Sequence, residues 1–223
     1  MLRPRLGSDD RRASIVAAAK TVFAKLGFDG ARLQHIAAAA GISEALIYRH
    51  FESKTSLYRA VLRSLIEDQD RVFAAIGELQ PSTAGLVRML HSVFELAMRG
   101  ADAPNAEGLR ILLLSLAGDS SHARLAFRRA MRHTRPALAA ALAAARESGD
   151  VSGAGVDAAN AVAFVGQMMI MVQVSRMPPR STIGYAGDRS ALVRQAVWFC
   201  GRGLGLTDVA LGAHYPHEPS LPK

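Results

Sequence analysis

The stretch LQHIAAAAGISEALIYRHFESKTSL, residues 33 to 57, decides how the rest of the chain is read. Leu33, Ile36, Ala37 and Ala40 recur at helical spacing and fall on one face. Gly41 interrupts that pattern where a helix C-terminus favours a left-handed residue. Ser43 can cap a second helix by accepting from its free backbone N–H groups. The second helix is short and bears Glu44, Tyr48, Arg49 and His50, and a third begins after Ser53. Two helices joined by a short Gly-containing turn form a helix-turn-helix, whose second helix fits the major groove of DNA.

Charge placement agrees with that reading. The chain has 223 residues and a formal charge of +8. Residues 1 to 63 hold eleven Lys or Arg against five Asp or Glu, whereas the other 160 residues hold sixteen against fourteen. Positive charge gathered around a helix-turn-helix suits a polyanion, because each neutralised phosphate releases counterions. Half of the residues are hydrophobic and about a fifth are charged, which excludes a disordered chain. Alanine and leucine dominate, and β-branched and aromatic runs are scarce, so the expected fold is all-α. One cysteine allows no intrachain disulfide, which fits a reducing cytoplasm. The arginine-rich N-terminus lacks a following apolar core, so no signal peptide is expected. Residues 161–174 are apolar but short for a bilayer and include Gln167 and Gln173, so a buried helix and no membrane partner are expected.

Outward from the motif, nine helices are expected. Residues 1–8, with Arg3, Pro4 and Arg5, read as a flexible basic arm or as a solvated terminus. Residues 9–53 make a three-helix DNA-binding domain, with the first helix ending at Gly27 and Phe51 filling its small core. Residues 54–206 make a second, helical domain. Its first helix runs to about 76 with Leu57, Val61, Leu65, Val72 and Ile76 inward, and later helices cover about 83–99, 105–117, 121–148, 157–176 and 188–204. Leu109, Leu112, Leu113 and Leu116 are placed inward, and Pro136 predicts a kink or break. Residues 207–223 read as a surface tail.

Residues 15 to 57 resemble the DNA-binding domain of the TetR/AcrR family of bacterial repressors. The residues that match are Ile15, Ala18, Ala19, Phe23, Gly27-Phe28, Ile36-Ala37, Ala40-Gly41-Ile42-Ser43, Ile47-Tyr48, His50-Phe51, Ser53-Lys54 and Leu57. The match spans about a quarter of the chain and bears little on residues 70–223. Five positions depart from the family's habit: Ala31 stands where a small polar residue is common, Arg32 where a Thr or Ser caps the second helix, His35 where an acidic residue is usual, Ala45 where Gly is frequent, and Ser56 where a Glu often completes a capping box.

Base readout requires side chains projecting into the major groove. Glu44, Ala45 and Arg49 are the candidates, with Gln34 reaching from the preceding helix and Ser43 at the turn. Arg can pair two acceptors of guanine, Glu can accept from cytosine, and Ala45 can touch a thymine methyl. The resemblance gives Tyr48 and His50 phosphate roles, against partial packing in the small domain. Arg32 either makes an ionic phosphate contact or is plain surface charge. Lys54, in the first turn of its helix, is expected to bind a phosphate alongside backbone N–H groups.

One such domain buries too little surface for high specificity, so a homodimer reading a palindrome is expected. Ala158, Ala161, Val193, Val197 and Leu204 are the expected dimer residues, against a role in the intrachain core. A small apolar effector is expected among Met89, Phe94, Met98, Leu113, Phe164, Gln167, Met168 and Met171, against ordinary core packing. Arg124, Arg128, Arg132 and Arg135 share a face that is either solvated or binds an acidic effector. Cys200 reads as a buried inert thiol. No zinc spacing, nucleophile–base pair or glycine-rich phosphate loop is present, which argues against an enzyme, a metal and a cofactor. The expected function is a ligand-responsive transcriptional repressor; an activator and an effector-independent architectural protein are the alternatives.

Overall fold

The computed structural model describes residues 7–77, 80–153 and 155–216, with side chains omitted at 72, 73 and 75–77. Residues 1–6 of the basic arm, with Arg3 and Arg5, therefore lie outside the described residues, as do the side chains of the inward positions Val72 and Ile76. Ten α-helices and no strands are present among the described residues. They are α1 (Ser8–Gly30), α2 (Leu33–Ala40), α3 (Glu44–His50), α4 (Lys54–Gly77), α5 (Thr83–Ala97), α6 (Ala106–Ala117), α7 (Ser121–Glu147), α8 (Ala158–Ser175), α9 (Arg189–Gly203) and α10 (Asp208–His214). The all-α expectation holds, with one helix more than the sequence suggested.

The chain divides into two compact units. The first holds the residues through Asp70 together with Glu107–Phe127. Its core is Ile15, Phe23, Ile36, Ile47, Phe51, Leu57, Val61 and, from α6, Ile111. Apolar burial of this kind is worth roughly 1.5–3 kcal/mol for each large side chain. Gly27 breaks α1 as expected, adopting φ 69° within the span Ser8–Gly30. Phe23, Phe28 and Tyr58 form an aromatic trio with Tyr58 edge-on to Phe23 at 4.9 Å. On α6, Leu109 is buried, but Leu116 is exposed and Ile111 takes the inward place.

The second unit holds Arg71–Ala106 and the residues from Arg128 onward. Here α5 packs against α8, α9 and α10. Each of these helices begins at a side chain that accepts from its free N–H groups: Ser82 for α5, Asp157 for α8, Asp188 for α9 and Thr207 for α10. The capped α10 corrects the expectation of a surface tail after residue 207. Leu211 is fully buried, and Tyr215 packs edge-on to His91 and at a tilt to Trp198. Pro136 neither breaks nor ends α7, which runs on to Glu147. Buried Gln173 on α8 is satisfied by Asn105 Oδ1 at 2.9 Å and the Gly100 carbonyl at 3.4 Å.

Candidate nucleic-acid interface

The turn between α2 and α3 is built from hydrogen bonds that the sequence dictates. Gly41 sits at φ 65°, ψ 38°. Its N–H donates to the Ala38 carbonyl and that of Ile42 to the Ala37 carbonyl, which closes the end of α2 as a Schellman motif. Ser43 Oγ then accepts from Leu46 N–H at 3.3 Å and starts α3. Ile47 on α3 is fully buried and pins the helix to the core of the first unit. The opposite side presents Ala45, Arg49 and Tyr48, the last 56% exposed, while Glu44 and His50 are half-buried. Gln34 and Arg32 are exposed on and before α2. The structure thus places Arg32, Gln34, Ser43, Glu44, Ala45, Tyr48, Arg49 and His50 on the two helices of the motif and the turns that start them.

Two departures from the family's habit are compensated locally. Arg32 offers no hydroxyl to cap α2, but His35 Nδ1 accepts from the Arg32 N–H at 3.3 Å, a role usually taken by a carboxylate. Ser56 replaces the Glu of a capping box. Ser53 N–H donates to Ser56 Oγ and Ser56 N–H donates to Ser53 Oγ, each at 3.1 Å, so two serines complete the box. Phe51 is 4% exposed with the Arg12 guanidinium 4.7 Å from its ring centre.

Lys54 differs from expectation. Its ammonium does not stand free for a phosphate. It donates to the Phe28 carbonyl at 2.8 Å and the Ala31 carbonyl at 3.0 Å, and lies 4.4 Å from the Phe28 ring centre.

In the second unit the residues expected at the seam and several of those expected at the pocket differ in burial from what the sequence suggested. Val193, Val197, Leu204 and Ala161 are buried in the core of their own chain, and Ala158 is half-buried, so they are not a free surface. Phe94 and Met98 are buried in the same cluster, with Met89 and Met168 packed against it. Leu113 belongs to the other unit. Phe164, Gln167 and Met171 point outward, with Phe164 60% and Met171 57% exposed. These three follow i, i+3, i+7 spacing and define one outer face of α8. On α9, Phe199 is 71% exposed and borders an open groove of about 860 Å³ with Ala191, Arg194, Gln195, Trp198 and Arg202. The expected buried helix is therefore buried on one side only. By length and composition α8 is also apolar enough to cross a membrane, a property that core helices share. The polar residues Asn160 and Gln167 on one stripe of α8 were the available signal for its outer face.

Burial raises the Cys200 thiol to about 11, in keeping with an inert side chain. No group of three His, Cys, Asp or Glu side chains able to hold a metal occurs among the described residues.

The family model described as bacterial regulatory proteins of the tetR family matches residues 15–61. This segment is a tetR-family DNA-binding domain. The HTH-type transcriptional activator FasR of Mycolicibacterium smegmatis is 41% identical over 64 residues, which cover 29% of this chain and 29% of that protein. The chain thus spans under a third of that relative's length. Solved structures extend the likeness of fold to most of the chain. A tetR-family regulatory protein from Rhodococcus RHA1 matches with a TM-score of 0.64 at 22% identity, covering 89% of this chain and 98% of that one. AibR, solved in complex with isovaleryl coenzyme A and operator DNA, matches with a TM-score of 0.62 at 18% identity, covering 88% of this chain and 100% of that one. FasR is named as a transcriptional activator and the Rhodococcus RHA1 protein as a regulatory protein.

Proposed function

We propose that the protein is a ligand-responsive, homodimeric transcriptional repressor of the cytoplasm that binds a palindromic operator and is released by a small effector. The observation that supports this most is the recognition helix, with Ile47 sunk in the core and Ala45, Tyr48 and Arg49 turned to solvent. In this reading Glu44, Ala45, Arg49 and Gln34 meet base edges, and Arg32, Ser43, Tyr48 and His50 meet phosphates.

In this reading the outer faces of α8 and α9 make the dimer seam, through exposed Phe164, Met171 and Phe199 and not through buried Ala161, Val193, Val197 and Leu204. Exposed aromatic and methionine side chains on neighbouring helices fit a second copy better than water. The effector is placed within the second unit, near Met89, Phe94, Met98 and Met168. AibR, of the same fold, is seen with an acyl thioester and operator DNA together, which supports ligand response as a class. An effector that favours one arrangement of the two readers lowers DNA affinity, and DNA lowers effector affinity by the same factor.

Selection of bound DNA from a random pool tests the reading. An enriched palindrome supports reader, symmetry and dimer together. Binding with no sequence preference at fixed salt would leave an architectural protein instead. FasR's name gives the activator reading its one support; the distance between the enriched site and the promoter decides the sign.

A further inference from the structure

We propose that Lys54 is a positioning residue that sets the angle of the DNA reader, not a phosphate ligand. The inference rests on the DNA-binding reading above and deepens it. A lysine in the first turn of α4 stands at the positive end of the helix dipole, an unfavourable place for a cation. Something must compensate that charge. In an operator complex a phosphate would do so, but the protein supplies its own partners. The carbonyls of Phe28 and Ala31 accept from the ammonium at 2.8 Å and 3.0 Å, and the Phe28 ring face lies at 4.4 Å. Two carbonyls and a ring face stand against the three N–H groups of the ammonium.

The two carbonyls lie where the chain needs help. Phe28 follows the break at Gly27, and Ala31 stands between the end of α1 and the start of α2. Orphan carbonyls at such junctions require a donor from outside the helix. Lys54 reaches back 26 and 23 residues to provide it. It ties the α1–α2 corner to the root of α4. The corner leads into α2, whose first turn is closed by the His35 imidazole on the Arg32 N–H, and α2 leads through the Gly41 turn into α3. Ser53 and Ser56 fix the first turn of α4 from which the lysine extends. Removing the ammonium frees the corner and lets α2 and α3 swing together.

The test is Lys54→Met in the full chain, with Lys54→Arg as the conservative variant and Phe28→Leu as a milder one. The positioning role predicts at least a tenfold loss of affinity for the selected operator. Binding to random duplex changes by less than twofold, because nonspecific affinity follows phosphate neutralisation and not the angle of α3. The slope of log affinity against log salt stays as in the parent. Lys54→Arg, which keeps donors and charge, recovers most of the loss; Phe28→Leu shows a smaller loss with the same slope.

A phosphate contact predicts otherwise: operator and random DNA weaken alike, and the slope falls by about 0.9 for each reader. That result overturns the proposal, as does unchanged operator affinity. Amide exchange over residues 28–36 without DNA is the second measurement. It speeds up in Lys54→Met if the clamp holds the corner, and unchanged exchange overturns the clamp. Should the parent bind no DNA at all, the DNA-binding reading fails, and the exchange result still decides on the clamp.

Discussion

The α2–α3 pair and the α8–α9 pair are both helical and rich in apolar residues, yet their functional faces differ in how openly the sequence declares them. In α2 and α3, short helices alternate sharply between a buried side and a polar one. Ile36 and Ile47 go inward, and Gln34, Tyr48 and Arg49 go out. In α8, apolar side chains occur all round. Ala161 and Val172 face inward, but Phe164 and Met171, as hydrophobic as either, face out. A helix end is a local hydrogen-bonding event and is legible in one residue. The direction of an apolar helix depends on what it packs against, and periodicity alone does not report that when both sides are greasy.

The largest effect that tests the comparison belongs to the reader's core. Phe51→Ala removes a side chain 4% exposed at the end of α3, and a loss of about 3–5 kcal/mol in urea unfolding is expected, with DNA binding lost alongside. Tyr48→Ala, one turn back and 56% exposed, is expected to change stability by no more than about 0.5 kcal/mol while weakening DNA binding. If the two variants destabilise equally, the two-sided description of α3 is wrong.

The same contrast applies on α9 and its end. Leu204→Ala empties a buried position in the second unit, and a loss of about 2–5 kcal/mol is expected with no change of oligomeric state. Phe199→Asp puts a charge on the outer face. It is expected to shift sedimentation from dimer to monomer, with the folded subunit's helical signal unchanged. A dimer that survives Phe199→Asp and dissociates in a Leu204 variant would restore the first assignment of the seam.

Within the proposed reader, base contact and phosphate contact are expected to separate. Arg49→Ala is expected to cost about 1–3 kcal/mol of operator binding and to relax preference at one base pair. Arg32→Ala is expected to weaken all duplexes alike and reduce the salt slope by about 0.9 for each reader. Competition titrations with single-base operator variants, repeated at two salt concentrations, distinguish the two.

Much of the fold was readable because its punctuation is chemical. Gly27, Gly41, Ser43 and Ser82 mark ends that occur where such residues force or favour them. Thr207 was equally legible as a cap. The Pro and His residues that follow suggest a tail, yet the seven residues after Thr207 form a capped helix. Lys54 shows a different limit. Its partners are carbonyls 26 and 23 residues away, and no spacing rule connects a side chain to backbone atoms at that range. Leu116 and Ile111 exchanged roles for a similar reason: a leucine-rich helix permits several inward registers, and only packing in the first unit selects one.

The smallest expected effect concerns His122. It lies in the first turn of α7, is 6% exposed, and its Nδ1 atom is buried without a hydrogen-bond partner. Burial lowers its pKa below the ordinary 6.5 by penalising the charged form. The unfolded chain therefore takes up a proton near pH 6.5 while the folded chain still resists it. The contribution to stability is complete above that pH and is lost progressively as pH falls towards the folded value. Urea midpoints measured at pH 7.5 and pH 5.5 are expected to drop in the parent, and the drop is expected to shrink in His122→Leu, which cannot titrate. Other groups titrate at lower pH, so the difference between the two proteins, and not the drop itself, is the quantity that bears on His122. An identical drop in both would mean that the imidazole gains its proton without leaving the core. The first unit would then have to hold a partner for the charge that the present packing does not supply.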